Sequence, residues 1–147
     1  MKAMRILLLL GALAALVSGC ASVPMTPPEA DASAKRFQPR PGMANIYLYR
    51  NETFGAAVTM SVSLDGRIMG RTGPKTYFLW EVPPGRHEIQ SHTENLETLA
   101  VNAEAGKSYY IWQEVKMGMF SPRSLLQLMP EAEGRTGVLE CQRAADN

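Results

Sequence analysis

The chain has 147 residues, with 15 Lys and Arg against 14 Asp and Glu and a formal net charge of +1. This length corresponds to about one domain, and the charge balance gives no argument for nucleic acid or an acidic partner. Hydrophobic residues make up 46% and charged residues 20% of the chain, which excludes a disordered chain and a multi-span membrane protein. Two cysteines exclude a disulfide-dense scaffold.

The N-terminus has the pattern of a secretory signal peptide. Lys2 and Arg5 precede an apolar stretch from Ile6 to Val17. A membrane-spanning helix needs about 20 apolar residues, whereas this shorter stretch matches the apolar region of a signal peptide. An N-terminal anchor helix is the alternative.

The end of this segment resembles the lipobox of bacterial lipoproteins, a branched apolar residue and two small residues before a cysteine. The residues that carry the resemblance are Leu16, Val17, Ser18, Gly19 and Cys20. It implies that residues 1–19 are a lipoprotein signal peptide, that the Cys20 thiol is joined to diacylglycerol, and that the new N-terminus is acylated, typically with palmitate. Two or more acyl chains anchor a protein stably to a membrane. An ordinary signal peptide with an incidental cysteine is the alternative.

The residue after Cys20 bears on localisation. In enterobacterial lipoproteins an aspartate at this position favours the inner membrane, and here it is Ala21. The resemblance therefore implies an outer-membrane lipid anchor, with the domain in the periplasm.

Residues 20–42 are predicted to be the lipidated cysteine and a linker. The segment contains Pro24, Pro27, Pro28, Pro39 and Pro41 and lacks apolar periodicity. A Pro-rich linker extends about 3.1 Å per residue, so it could hold the domain up to ~60 Å from the membrane. The alternative is that part of the segment packs on the domain.

Residues 43–147 have the alternation of β-strands. Ala44, Ile46 and Leu48 predict one buried face, and Val58, Met60, Val62 and Leu64 predict another. Asp65-Gly66 then predicts a hairpin. A further strand is predicted over residues 77–82, with Phe78, Trp80 and Val82 on one face. The remaining predicted strands span residues 86–93, 98–103, 107–117 and 124–129.

Short strands at this spacing indicate an all-β fold, a small antiparallel β-sandwich of about seven to eight strands. The tail from Pro130 to Ala144 predicts a short C-terminal helix, since Pro130 suits a helix start. Gly134 and Gly137 weaken that prediction.

Turn motifs resemble two known families. Val62–Gly66 and Val82–His87 are similar to the turns of PEGA domains, which are surface β-sandwich modules. The whole span from Pro41 to Arg143 resembles DUF2846, an uncharacterised domain of Gram-negative lipoproteins, through Ile46–Arg50, Gly106–Tyr110 and Glu133-Gly134 as well as these turns. The resemblance implies a β-sandwich and brings no activity or catalytic residues, because turn chemistry argues fold and not function.

Two sets of residues are candidates for an interaction surface. The first is the aromatic set Tyr47, Tyr49, Tyr110 and Trp112, which alternation places away from the core and which could stack on sugars or anchor a protein. The alternative is that the tail helix or another sheet covers this face. The second set is Met119 and Phe120 in an apolar loop, which could be a contact site or could pack back onto the core.

The residues capable of catalysis or metal binding do not form a pattern. His87 and His92 lie on opposite faces of one predicted strand, so no metal site is predicted, and His87 is interpreted as a structural residue. Cys141 lies among apolar residues and is expected to be buried and unreactive, with intermolecular pairing as the alternative. No cofactor is predicted.

The sequence therefore favours a non-enzymatic lipoprotein of the outer membrane that acts as an interaction or envelope-maintenance module. Its expected partners are the membrane through the lipid anchor and possible envelope proteins or peptidoglycan, without nucleic acid. A glycan- or peptidoglycan-binding module is the first alternative, suggested by the aromatic strands and the arginines. A hydrolase is the second and would need His87 or Cys141 to meet acids distant in sequence.

Overall fold

A computed structural model describes residues 22–147, and the predicted signal peptide with Leu16–Cys20 lies outside the described residues. The described chain forms nine strands and two helices. In chain order they are α1 (Pro28–Ala34), β1 (Ala44–Arg50), β2 (Met60–Leu64), β3 (Arg67–Thr72), β4 (Thr76–Val82), β5 (Gly85–His92), β6 (Leu96–Ala103), β7 (Ser108–Lys116), β8 (Arg123–Met129), α2 (Glu131–Leu139) and β9 (Gln142–Arg143).

The strands form two sheets that face each other. The five-stranded sheet has the order β8-β7-β1-β4-β9, and the four-stranded sheet has the order β3-β2-β5-β6. All pairings are antiparallel except β1 with β7 and β4 with β9. The predicted β-sandwich is confirmed, with β9 as an additional strand. β9 has only two residues, which is too short for an alternating pattern to predict it from the sequence.

The main core lies between the two sheets. Ala44, Ile46 and Leu48 of β1 are fully buried in it, beside Phe78 and the rest of the predicted β4 face. These faces are as the alternation predicts, because side chains two apart on a strand point to the same side.

The predicted hairpin joins β2 to β3. Asp65 and Gly66 both have positive φ, 50° and 80°, which is the backbone of the tight turn that suits the twist of antiparallel strands. A register shift between Val62 and Ser63 interrupts the predicted alternation, so Ser63 is buried as well.

A second core lies on the outer face of the five-stranded sheet, under the two helices. Ala34 of α1, Phe37 and Val138 of α2 pack there against tyrosines of β1, β4 and β7. The predicted C-terminal helix is confirmed as α2. All seven residues of β1 are buried, because this strand is central in its sheet and covered on both faces.

The prediction of a linker over residues 20–42 is wrong for its described part. Pro28 starts α1, and Glu29 and Asp31 occupy its first turn, where acidic side chains favour the positive end of the helix dipole. Phe37 is buried, and Met25 forms a bridge with Ala144. The alternative, in which part of the segment packs on the domain, is the observed arrangement.

Candidate interaction surfaces

The structure removes three of the four predicted aromatic residues from the surface. Tyr47, Tyr49 and Tyr110 are all buried in the second core. The Tyr47 and Tyr110 rings stack with centroids 5.1 Å apart. The alternation correctly separates these side chains from the main core, but the face they occupy is covered by helices.

The buried tyrosines hold the helices to the sheet. The Tyr47 hydroxyl donates to the carbonyl oxygen of Ala34 at 2.8 Å, and the Tyr77 hydroxyl donates to Asp31 Oδ1 at 2.8 Å. Arg135 Nε of α2 donates to the Tyr110 hydroxyl at 3.3 Å. Burial raises the pKa of Tyr47 and of Tyr49 to about 12, because the charged phenolate is poorly solvated there. These residues therefore have a structural role.

Trp112 is the one member of the aromatic set that is not fully covered, and it lies beside an open groove. It is half-buried and lines a cavity of about 430 Å³ between α2 and the β1–β7–β8 part of the sheet. Tyr49 and Met129 complete the apolar floor, and the rim is polar. The polar lining residues are Asn51, Glu133, Thr136 and Glu140.

One side of this groove is fixed by a hydrogen bond. Asn51 Nδ2 donates to Glu140 Oε2 at 2.8 Å, which connects the end of β1 to the end of α2. An aromatic floor with amide, hydroxyl and carboxylate groups on its rim suits a ligand with apolar faces and hydroxyl edges.

The β7–β8 loop, residues 117–122, exposes large apolar side chains. Met119 is 81% and Phe120 92% exposed, so the alternative in which they pack back onto the core is wrong. Their role as a contact site stays a prediction. The Glu94 carboxylate accepts hydrogen bonds from the backbone N–H groups of Met119, Phe120 and Ser121 in this loop. No sequence pattern identifies Glu94 as their partner, because it lies more than twenty residues earlier in the chain.

His87 is a structural residue. Its Nδ1 lies 2.7 Å from Asp65 Oδ2 and its Nε2 lies 2.8 Å from the carbonyl oxygen of Pro83. Both partners only accept hydrogen bonds, so the ring satisfies them as an imidazolium. Burial opposes this charge, but the bonds to Asp65 and Pro83 outweigh it and raise the pKa of His87. His92 lies on the opposite face of β5, as predicted.

Cys141 is buried, as its apolar neighbours predict. Its Sγ lies 3.3 Å from the carbonyl oxygen of Gly137 and 3.5 Å from that of Arg50. Burial raises the pKa of the thiol to about 12, so it is not a thiolate at neutral pH. Cys141 borders a cavity of about 500 Å³ that Lys35, Lys75 and Glu140 also line.

Within residues 22–147, no group of three or more His, Cys, Asp and Glu side chains is placed to hold a metal ion. No helix in this part of the chain has the length and apolar character to cross a membrane.

These features define a two-sheet β-sandwich with one helix-covered face, a groove beside α2 and an apolar loop. The chain belongs to the family DUF2846, described as a protein of unknown function, whose profile matches residues 40–124. It is also similar to an uncharacterised protein of Haemophilus influenzae, with 31% identity over 136 residues that cover 91% of this chain and 81% of that protein. No solved structure matches the chain. The family match ends before α2, so the helix that forms one wall of the groove lies outside it.

Proposed function

We propose that this protein is a lipoprotein anchored to the outer membrane through Cys20, with its sandwich in the periplasm as a non-enzymatic interaction module. The observation that carries the proposal is the sequence from Leu16 to Cys20, preceded by a basic start and an apolar stretch of signal-peptide length. Ala21 in place of aspartate favours the outer membrane over the inner membrane.

The described part of the chain is consistent with this role. The His87 ring is tied to Asp65 and Pro83, and the Cys141 thiol is buried, so the two residues on which a hydrolase would depend are engaged in the fold. The likeness of the two turns to PEGA domains stays a prediction and fits a binding module.

Labelling with palmitate in cells tests the anchor. The parent chain is expected to incorporate radiolabelled palmitate and to fractionate with the outer membrane, because the Cys20 thiol is the one that ends the lipobox. Cys20→Ala is expected to lose both, whereas Cys141→Ala, the matched control, keeps both. Label that persists in Cys20→Ala would contradict the proposal.

A second candidate function is glycan binding in the groove beside α2. Trp112 and Tyr49 form an aromatic floor and Asn51, Glu133 and Thr136 offer polar groups, which is the combination that recognises a sugar ring by stacking and by hydrogen bonds. Peptidoglycan is the periplasmic glycan within reach of an outer-membrane lipoprotein.

Sedimentation with purified sacculi tests this candidate. The parent protein is expected to sediment with sacculi, and Trp112→Ala to lose most of this binding. Leu128→Ala, which removes an exposed apolar side chain of β8 outside the groove, is the control and should bind normally. Sedimentation of the parent no greater than without sacculi would remove glycan binding and leave the anchor proposal intact.

A further inference from the structure

The groove beside α2 is acidic on its helical side. Glu133 and Glu140 both line it, and among the described residues its lining includes no Lys, Arg or His side chain. The two glutamates are seven residues apart, which is about two helical turns. They therefore lie along the same side of α2, and both border the groove.

The two carboxylates lie close to the Tyr49 phenol in the groove floor. The pKa of Tyr49 is raised to about 12, first by burial and then by the charges of Cys141, Glu133 and Glu140. A carboxylate has this effect only at short range, because solvent screens more distant charges. The floor of the groove therefore lies in a negative potential, which favours a positively charged ligand.

Two positive side chains near the groove do not neutralise Glu133. Lys75 Nζ lies 3.7 Å from Glu140 Oε2, and Arg135 forms its ion pair with Glu131. Neither cation lines the groove. Glu133 itself forms no ion pair with any residue that the structure describes. Lys75 thus offsets part of the charge of Glu140 and leaves that of Glu133 uncompensated.

The groove offers mainly hydrogen-bond acceptors. Asn51 Nδ2 already donates to Glu140, and the Thr136 hydroxyl donates to the carbonyl oxygen of Ala132 at 3.0 Å. The indole Nε1 of Trp112 is buried without access to solvent. What remains is largely carboxylate, amide and hydroxyl oxygen. A ligand must therefore supply the donors, and the carboxylates disfavour one that is negatively charged.

The Tyr49 hydroxyl is a further polar group that a ligand can reach. Tyr49 is only 3% exposed, yet its hydroxyl has no hydrogen-bond partner among the described residues. A buried hydroxyl without a partner is unfavourable. The groove is the open space beside Tyr49, so a donor bound there can provide the missing hydrogen bond.

We infer that the groove beside α2 binds a primary ammonium group carried on an apolar stem. The ammonium donates to Glu133 and to the Tyr49 hydroxyl, and the faces of Tyr49 and Trp112 attract its charge. The stem lies over Met129. The inference rests on the groove proposed for glycan binding, and it names the group that a peptidoglycan ligand must present there, such as the free amine of a stem peptide.

Titration with hexylammonium and with hexanol tests the inference, because these probes share an apolar chain and differ in charge. The protein is the isotopically labelled mature chain with Cys20→Ala. The indole N–H signal of Trp112 in NMR spectra reports binding, and that of the buried Trp80 is the internal control. We expect hexylammonium to bind roughly tenfold more tightly, from one exposed ion pair and one cation–π contact. Equal affinities would overturn the inference.

A pair of charge-matched variants locates the ammonium in the groove. Glu133→Gln removes one negative charge and keeps the size of the side chain, and we expect the preference for hexylammonium to fall severalfold. Glu131→Gln removes a charge from the same helix outside the groove and should keep the preference. Both positions are exposed, so neither change disturbs the fold. An unchanged preference in Glu133→Gln would contradict the inference.

Sacculi with acetylated amines separate this inference from the glycan candidate. Sedimentation of the parent protein that is lost on acetylation would assign the ammonium to peptidoglycan. Sedimentation that depends on Trp112 but survives acetylation would overturn the inference and leave glycan binding intact. Preferential binding of hexylammonium without sedimentation would remove the glycan candidate and support the inference, with the ammonium on another ligand. None of these results bears on the proposed anchor.

Discussion

At the scale of single residues, Gly134 and Gly137 determine how closely α2 approaches the five-stranded sheet. A Cβ on Gly134 would overlap Tyr110, and one on Gly137 would overlap the Tyr49 ring. In the sequence these glycines count against a helix, because a glycine within a helix is less favourable than an alanine by about 1 kcal/mol. The structure shows that their missing side chains are what lets the helix lie on the tyrosines.

Gly137→Ala is therefore expected to destabilise the protein, although the same change in an exposed helix is stabilising. Overpacking of a filled core typically costs about 1–3 kcal/mol, which exceeds the gain in helix propensity. Urea unfolding of the mature protein measures the change in the free energy of unfolding. Thr136→Ala, at an exposed position of the same helix, is the control and should change this energy little. A more stable Gly137→Ala variant would contradict the close packing.

The pair formed by Asp65 and His87 gives a pH dependence with a definite sign. Desolvation opposes the carboxylate charge, but the N–H of Glu88 and the His87 ring outweigh it and lower the pKa of Asp65. The pKa of His87 is raised. Because the pKa of His87 is higher in the folded protein, its contribution to the free energy of unfolding is fully present below the ordinary pKa of 6.5. This contribution is lost as pH rises through the pKa of His87 in the folded protein. A lowered aspartate pKa gives stability that is complete above 3.8 and is lost as pH falls through the folded value.

The Asp65–His87 pair should therefore contribute most to the free energy of unfolding at pH values between these two ordinary pKa values. We expect the urea midpoint of the parent protein to fall as pH rises from 6.5 through the raised pKa of His87, and this fall to be smaller in His87→Gln. Comparing the two proteins at each pH removes the contribution of the other titrating groups. Equal pH profiles would show that the pair is not linked to folding.

At the scale of elements, the strands follow from alternation and the packing of the N-terminal segment does not. The predicted faces of β1 and β4 are correct because the period of two depends only on the pleat of the strand. Residues 22–37 lack such a period, yet Phe37 lies over Tyr47 and Tyr110 with centroids 5.4 and 6.0 Å away. One aromatic residue in a Pro-rich segment has no periodicity, so the sequence alone wrongly predicts a linker here.

Phe37→Ala tests whether this segment belongs to the fold. Removing a buried phenylalanine typically costs about 3–5 kcal/mol, and we expect a loss in the free energy of unfolding near the lower value because Phe37 lies at the edge of its core. Urea unfolding of the mature protein is the measurement. Gln38→Ala, at the exposed neighbouring position, is the control. An unchanged stability of Phe37→Ala would indicate a linker after all.

At the scale of the whole molecule, the two ends of the described chain hold each other in place. The Thr26 N–H donates to the carbonyl of Arg143, and the Ala145 N–H donates to the carbonyl of Pro24. The Arg143 N–H also donates to Asp31 Oδ1 at 3.0 Å. β9 adds a second link between α1 and the sheet beside the Tyr47 and Tyr77 hydroxyls, because it pairs with β4 on its other side.

Removing β9 is therefore expected to release the N-terminal segment. In a chain that ends at Cys141, trypsin should cleave after Lys35 and Arg36 much faster than in the full chain, because α1 loses its partners in β9. A chain that ends at Asp146 keeps these bonds and is the control. Mass spectrometry of the first fragments identifies the cleavage sites. Equal protection in the two truncated chains would show that the tyrosine contacts alone hold α1.

By itself, the sequence determines the all-β class, the main core faces, the hairpin at Asp65 and the C-terminal helix, because each of these depends on local periodicity or turn chemistry. Only the tertiary structure decides that the aromatic face is covered, that the Glu94 carboxylate holds the β7–β8 loop, and that β9 links the N-terminal segment to the sheet. Each of these depends on contacts between residues far apart in the chain, such as Glu94 with Phe120 and Thr26 with Arg143. Local sequence patterns do not predict such contacts, because the contacts form only when the sheets pack.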